Sequence, residues 1–81
     1  MKNEKITVMV KFFATLRKYG PPKSEETYPK GSMVKDILDR YEVPEEDRNI
    51  VVLINTRPHQ KKETILHDED VVSIFPPIAG G

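Results

Sequence analysis

Apolar and polar residues alternate from Ile6 onward. Ile6, Val8, Val10 and Phe12 fall on one face, with Thr7, Met9, Lys11 and Phe13 on the other. A period of two with β-branched residues predicts a strand with one face in the core. Ala14 to Tyr19 suits a short helical turn, ended by Gly20-Pro21-Pro22. Glu25-Glu26-Thr27-Tyr28 reads as a second strand, returning as hairpin partner of the first and closed by Pro29 and Gly31. Ser32 stands where an N-cap would accept the free backbone donors of a first helical turn. Lys35 occupies the place of the reciprocal Glu or Gln of a capping box. Val34, Ile37, Leu38 and Tyr41 then recur at i, i+3, i+4 and i+7, the stripe of the only long helix, which Pro44 is expected to stop.

Ile50 to Ile54 is a continuous apolar run of strand length, the pattern of a central strand covered on both faces. Thr56 to Lys62 suits a short polar strand or a loop, and Asp68-Glu69-Asp70 a charged turn. Val71 to Phe75 is the last strand, which Pro76-Pro77 prevents from continuing in a ladder. One helix across a mixed sheet is a two-layer α+β arrangement. Among folds that run strand, strand, helix, strand, the β-grasp roll accommodates this spacing best. The expected division is a β-grasp domain over residues 1–75 and an extended tail over 76–81.

Composition narrows the chemistry. At 81 residues the chain allows one small domain, which buries roughly 60–65% of its unfolded surface. Thirteen Lys and Arg balance thirteen Asp and Glu, which argues against a nucleic-acid module or a polybasic membrane binder. The absence of cysteine excludes a disulfide framework, a Cys-ligated metal and a thiol nucleophile. His59 and His67, set among polar loop residues, read as solvated or structural, and no metal site is expected. Lys61-Lys62 and Glu45-Glu46-Asp47 read as solvated charge. The start of the chain lacks the apolar stretch of a signal peptide, and no run is long enough to span a bilayer, so a cytoplasmic protein is expected.

The most unusual local feature is the end, Phe75-Pro76-Pro77-Ile78-Ala79-Gly80-Gly81. The prolines stiffen the exit from the sheet and bias it to an extended path. Ile78 adds an apolar anchor, and two residues without side chains lead to a terminal carboxylate. Glycine threads a narrow tunnel with the least obstruction and leaves its carbonyl open to a nucleophile. An ordinary frayed tail is the alternative. Phe13 and Phe75 both face away from the expected core. With their strands adjacent they form one apolar patch beside the tail, and such patches tend to be partner surfaces.

Three segments resemble the MoaD/ThiS-type sulfur carriers, ubiquitin-like proteins of molybdenum cofactor and thiamine synthesis. They are Val10-Lys11-Phe12-Phe13-Ala14-Thr15-Leu16-Arg17, Leu53-Ile54-Asn55, and Asp68 through Gly81. The Phe-Phe-Ala-x-Leu-Arg opening and the double proline favour the MoaD branch, the small subunits of molybdopterin synthase. The resemblance implies a ubiquitin-like β-grasp and a carrier role for the tail. An ATP-dependent enzyme related to ubiquitin-activating enzymes would adenylate Gly81, with Gly80 beside it, and a sulfur donor would leave a thiocarboxylate. The large catalytic subunit would then receive the tail and pass its sulfur to a pterin precursor. Phe13, Arg17, Pro58, Phe75, Pro76, Pro77, Ile78 and Ala79 are the implied partner contacts. No cofactor is expected on this chain, which has no Gly-rich phosphate loop, and ATP would be held by the activating enzyme. The same Gly81 chemistry would serve a ubiquitin-like modifier joined to lysines, or a thiamine-pathway carrier. A β-grasp interaction domain with an accidental Gly-Gly is the non-carrier alternative.

Overall fold

The computed structural model describes residues 4–58 and 60–77. Strands β1 (Lys5–Phe12) and β2 (Ser24–Pro29) form an antiparallel hairpin around a short 3-10 turn (Ala14–Lys18). Helix α1 (Val34–Arg40) follows, then a second 3-10 turn (Glu45–Asp47), strand β3 (Val51–Ile54) and strand β4 (Val71–Phe75). The sheet order is β2-β1-β4-β3, with β4 parallel to β1 and antiparallel to β3.

The alternation in β1 does what its period dictates: Ile6, Val8, Val10 and Phe12 are all buried. They meet Tyr28 of β2, Val52 and Ile54 of β3, Val72 and Ile74 of β4, and the helix stripe of Val34, Ile37 and Leu38 in one core. Each fully buried aliphatic side chain contributes about 1.5–3 kcal/mol relative to exposure. Phe12 packs edge-to-face on Tyr41, with ring centroids 5.0 Å apart. Gly20 is required there, since a Cβ would lie 2.6 Å from the Phe12 ring and 2.9 Å from that of Tyr41.

Several expectations change. β3 is an edge strand and not a central one, with Val52 and Ile54 in the core while Val51 and Leu53 are only half-buried on the opposite face. Its outer edge is partly satisfied by the following loop, where Gln60 N–H donates to the Val52 carbonyl and Ile54 and Arg57 exchange backbone bonds. That loop is where a further weak strand was expected. The described residues between 56 and 62 form only the isolated Ile54–Arg57 bridge. Ser32 does not cap α1: its hydroxyl donates to the Pro29 carbonyl, and Met33 is the N-cap. Asp36, one turn in, accepts the Met33 N–H at 2.7 Å, which supplies the acidic half of a capping box.

The helix also ends before Pro44. Val43 N–H reaches the Leu38 carbonyl and Glu42 N–H the Asp39 carbonyl, the paired bonds of a Schellman cap, with buried Val43 as its apolar partner. Glu42 takes the left-handed position at φ 56°, where a side chain costs about 1–2 kcal/mol. Its negative charge also opposes the helix dipole. Glu42→Gly is therefore expected to stabilise the fold by about 0.5–1 kcal/mol, after glycine's extra unfolded-state entropy is subtracted. Thermal melting would read this as a Tm several degrees higher, and an unchanged or lower Tm would contradict it.

Two polar networks fix the frame that carries the chain's end. Glu26, with its side chain only 8% exposed, accepts from Ser24 Oγ and Tyr28 Oη and pairs with Arg40 Nε at 3.2 Å, tying the last helical residue to β2. Burial, reinforced by Glu26, pushes the Tyr28 phenol up to about 12, so it stays protonated and donating. At the other end of the sheet Asn55 Nδ2 donates to buried Asp70, and Val71 N–H donates to Asn55 Oδ1. Asn55 adopts φ 53° to do so, which locks the end of β3 to the start of β4.

Candidate functional site

β4 delivers the tail. Phe75 pairs with Val51 at the end of the β3–β4 ladder, and Pro76 and Pro77 follow at once. Proline lacks the N–H that a ladder needs, so the chain leaves the sheet here. Next to this exit β1 ends. Phe13 N–H donates to the Ile74 carbonyl at 3.1 Å, which brings the Phe13 ring flat onto that of Phe75 with centroids 4.2 Å apart and planes 6° from parallel. Both rings are half-buried, each covering part of the other.

The apolar surface extends beyond this pair. Ala14, Val51, Leu53, Phe75, Pro76 and Pro77 line an open groove of ≈ 490 Å³. Val51 and Leu53 belong to it because α1 packs on only one face of the sheet, so alternate residues of β3 point to the uncovered face. The continuous run from Ile50 to Ile54 was the sequence signal for a second apolar face, one that this chain's own helix does not cover. Ala14 joins at φ 56°, the bend that turns the chain from β1 into the first 3-10 turn.

Of the residues singled out from sequence, Phe13, Phe75, Pro76 and Pro77 come together at the tail root. Arg17 is exposed on the adjacent 3-10 turn and forms no ion pair with another described residue. Pro58 does not join them. It lies in the loop after Ile54, which pairs with Val72, whereas the tail leaves from the opposite end of β4, where Phe75 pairs with Val51. Ile78, Ala79, Gly80 and Gly81 lie outside the described residues, as does His59.

On the other side of the prolines the two 3-10 turns meet. Tyr19 Oη donates to the Asp47 carboxylate, and Lys18 Nζ stands 3.9 Å from the same oxygen. This hydrogen bond, helped by the nearby negative charge, pushes the Tyr19 phenol up to about 12. Twenty-eight residues separate the partners, and no short-range pattern announces the pair. Among the described residues no cluster of three or more His, Asp or Glu is placed to hold a metal ion, and no helix is long and apolar enough to cross a membrane.

A mixed four-stranded sheet holding one main helix, with the last strand parallel to the first, defines a ubiquitin-like β-grasp protein. The profile of the ThiS family matches residues 10–81, and the chain belongs to that family. Comparison with curated protein sequences found no match. Among solved structures, the Haloferax volcanii HVO 2177 protein superposes with a TM-score of 0.76 at 28% identity, over 95% of this chain and 88% of that one. A Pyrococcus furiosus protein assigned as subunit 1 of a molybdopterin converting factor gives 0.70 at 26% identity, over 90% and 99%. The small archaeal modifier protein 1 of Methanosarcina acetivorans gives 0.65 at 28% identity, over 96% and 99%. The chain is thus a small protein of the kind that includes ThiS/MoaD-type sulfur carriers and small archaeal modifiers.

Proposed function

We propose that this protein is the sulfur-carrying small subunit of a molybdopterin synthase, with the Gly81 carboxylate as its working group. The observation that carries the reading is the tail root: a family member whose last strand releases Pro76-Pro77 beside a stacked Phe13–Phe75 pair and an open apolar groove. A surface of that kind binds a partner while the terminus enters the partner's site. The likeness to the Pyrococcus furiosus subunit and the Phe-Phe-Ala-x-Leu-Arg and Pro-Pro segments support the molybdopterin branch.

The chemistry divides between chains. An activating enzyme joins the Gly81 carboxylate to the α-phosphate of ATP and releases pyrophosphate, because carboxylate oxygen leaves poorly and AMP leaves well. A sulfur donor then displaces AMP to give the thiocarboxylate, whose sulfur is the nucleophile toward the pterin precursor. This chain supplies the carried sulfur and the docking surface. Acid, base and substrate-binding groups come from the large subunit.

The likeness to a small archaeal modifier favours a second reading, in which the same activated Gly81 is joined to lysines. Intact-mass analysis of the protein from its own host separates the two. The carrier reading expects a fraction with sulfur in place of one terminal oxygen, together with co-purification of a larger synthase subunit. Gly81 found only in isopeptide linkage to other proteins would overturn it.

A further inference from the structure

The balanced charge of the chain hides a segregation along it. Lys5, Lys11, Arg17, Lys18 and Lys23 are the only charged residues from 5 to 23, whereas residues 36–47 hold six acids and one cation, Arg40. The acids lie on and after α1 and in the second 3-10 turn, and four of the cations on β1 and the first turn. Lys11 has the least ordinary position among them. Val10 and Phe12 on either side of it are buried, so Lys11 belongs to the opposite face of the sheet, which α1 leaves uncovered. On that face Met9 and Phe13 flank it along the chain, Ser73 stands beside it on β4, and Leu53 lies beyond Ser73 on β3. The stacked Phe13–Phe75 pair forms the next row toward the prolines. Lys11 is half-buried there, while Lys5 at the far end of the same strand face is exposed. Among the described residues Lys11 forms no ion pair, and Glu25, an acid on this face, lies opposite Met9 without pairing to it.

We propose that Lys11 determines which partner fits this face: the surface of the larger synthase subunit that covers it is apolar and sets one carboxylate against the Lys11 amine. This rests on the reading of the chain as a synthase small subunit. Leu53 and Phe75 line the apolar groove and also border the row of Lys11, so the two surfaces are continuous. Two strand spacings, about 10 Å, separate Lys11 from Leu53. An interface of ordinary size, about 800 Å² on each side, spans that distance. A partner seated in the groove therefore also closes over the amine. Closure strips water from an ammonium group, a penalty that an opposed carboxylate offsets and an apolar surface does not. A protein that matches the groove in shape but lacks the carboxylate is rejected, which makes a general apolar contact selective. Arg17, exposed on the adjacent turn, is a rim charge and acts on the rate of encounter. A pair closed over by the partner acts on dissociation.

The test is binding of the full-length protein to the larger synthase subunit of the same host, with both rate constants read by surface plasmon resonance. Lys11→Met keeps an unbranched apolar side chain and leaves the carboxylate without its partner. It is expected to weaken binding about tenfold or more, chiefly through faster dissociation, with Tm no lower than that of the wild type. Lys11→Arg restores a cation and should bind within about threefold of wild type, and Lys5→Gln, which removes a charge from the open end of the same face, within about twofold. In the wild-type complex a water-soluble carbodiimide should join the Lys11 amine to an Asp or Glu side chain of the subunit as an amide, the reagent leaving as its urea. Peptide mass mapping reads that bond. Wild-type affinity or tighter binding in Lys11→Met overturns the pairing and leaves the proposed function standing, as does a cross-linked complex without the Lys11 amide. Wild-type protein that fails to bind the subunit at all overturns the proposed function and the pairing with it.

Discussion

A chain lacking Gly81 is expected to melt with the full-length protein and to lose at least a hundredfold of the sulfur transfer proposed for it. The deletion lies well beyond Ile74, the last buried residue among those described, and none of the described core is altered. The truncated chain still ends in glycine, with a carboxylate of the same acidity and the same freedom from a Cβ. What changes is reach. One residue fewer withdraws the carboxylate by about 3.3–3.6 Å, several times the misplacement of about 1 Å that costs on the order of a hundredfold. Loss through reach also separates this reading from one in which any C-terminal glycine suffices. The measurement is thiocarboxylate formation by mass, with Tm as the control. Undiminished transfer from the truncated protein would remove Gly81 from the mechanism.

The parts of the fold legible in the sequence are those whose signal is local. β1 could be read because its two faces differ in polarity at every step, and α1 because its stripe recurs at helical spacing. The edge position of β3 is a property of the sheet order. Five consecutive apolar residues look the same whether their second face meets a layer of the same chain or none. Helix ends were misread for a related reason. Ser32 has the chemistry of a cap but spends its hydroxyl on Pro29, and Asp36 reaches Met33 instead. Glu42 adopts a conformation that glycine would have advertised.

The tail root was half legible. Phe13 and Phe75 each stood out as apolar residues on the wrong face, and adjacent strands sufficed to join them. Val51 and Leu53 could be added only once the sheet was known to be covered on one face alone. Pro58, named with Phe13 and Phe75 from the sequence, lies near the opposite end of β4 from the tail. Tyr19 and Asp47 carried no sequence signal, since a tyrosine after a short turn and an acid in a charged run are both ordinary on a surface.

The same sheet yields a second large effect by exchanging one phenylalanine for another. Phe12 and Phe13 are neighbours in sequence that point to opposite faces: Phe12 is 1% exposed beneath Tyr41, and Phe13 lies on Phe75 at the rim. Truncating Phe12 opens a cavity in the core that the described residues form, which costs about 3–5 kcal/mol. A domain of this size has on the order of 4–12 kcal/mol in total. Phe12→Ala should therefore leave the protein largely unfolded at 37 °C. Phe75→Ala removes a ring that is already half solvated, so its folding cost is expected to stay below about 1.5 kcal/mol, chiefly the lost stacking on Phe13. Its cost in binding should be larger, about 2 kcal/mol or more, because a partner that covers the groove completes the ring's desolvation. On the proposed function that is a weakening on the order of thirtyfold in Kd for the larger synthase subunit, measured by titration calorimetry on protein whose Tm has been checked. If Phe75→Ala melts as badly as Phe12→Ala and binds with unchanged affinity once folded, Phe75 belongs to the core and the docking surface must be sought elsewhere.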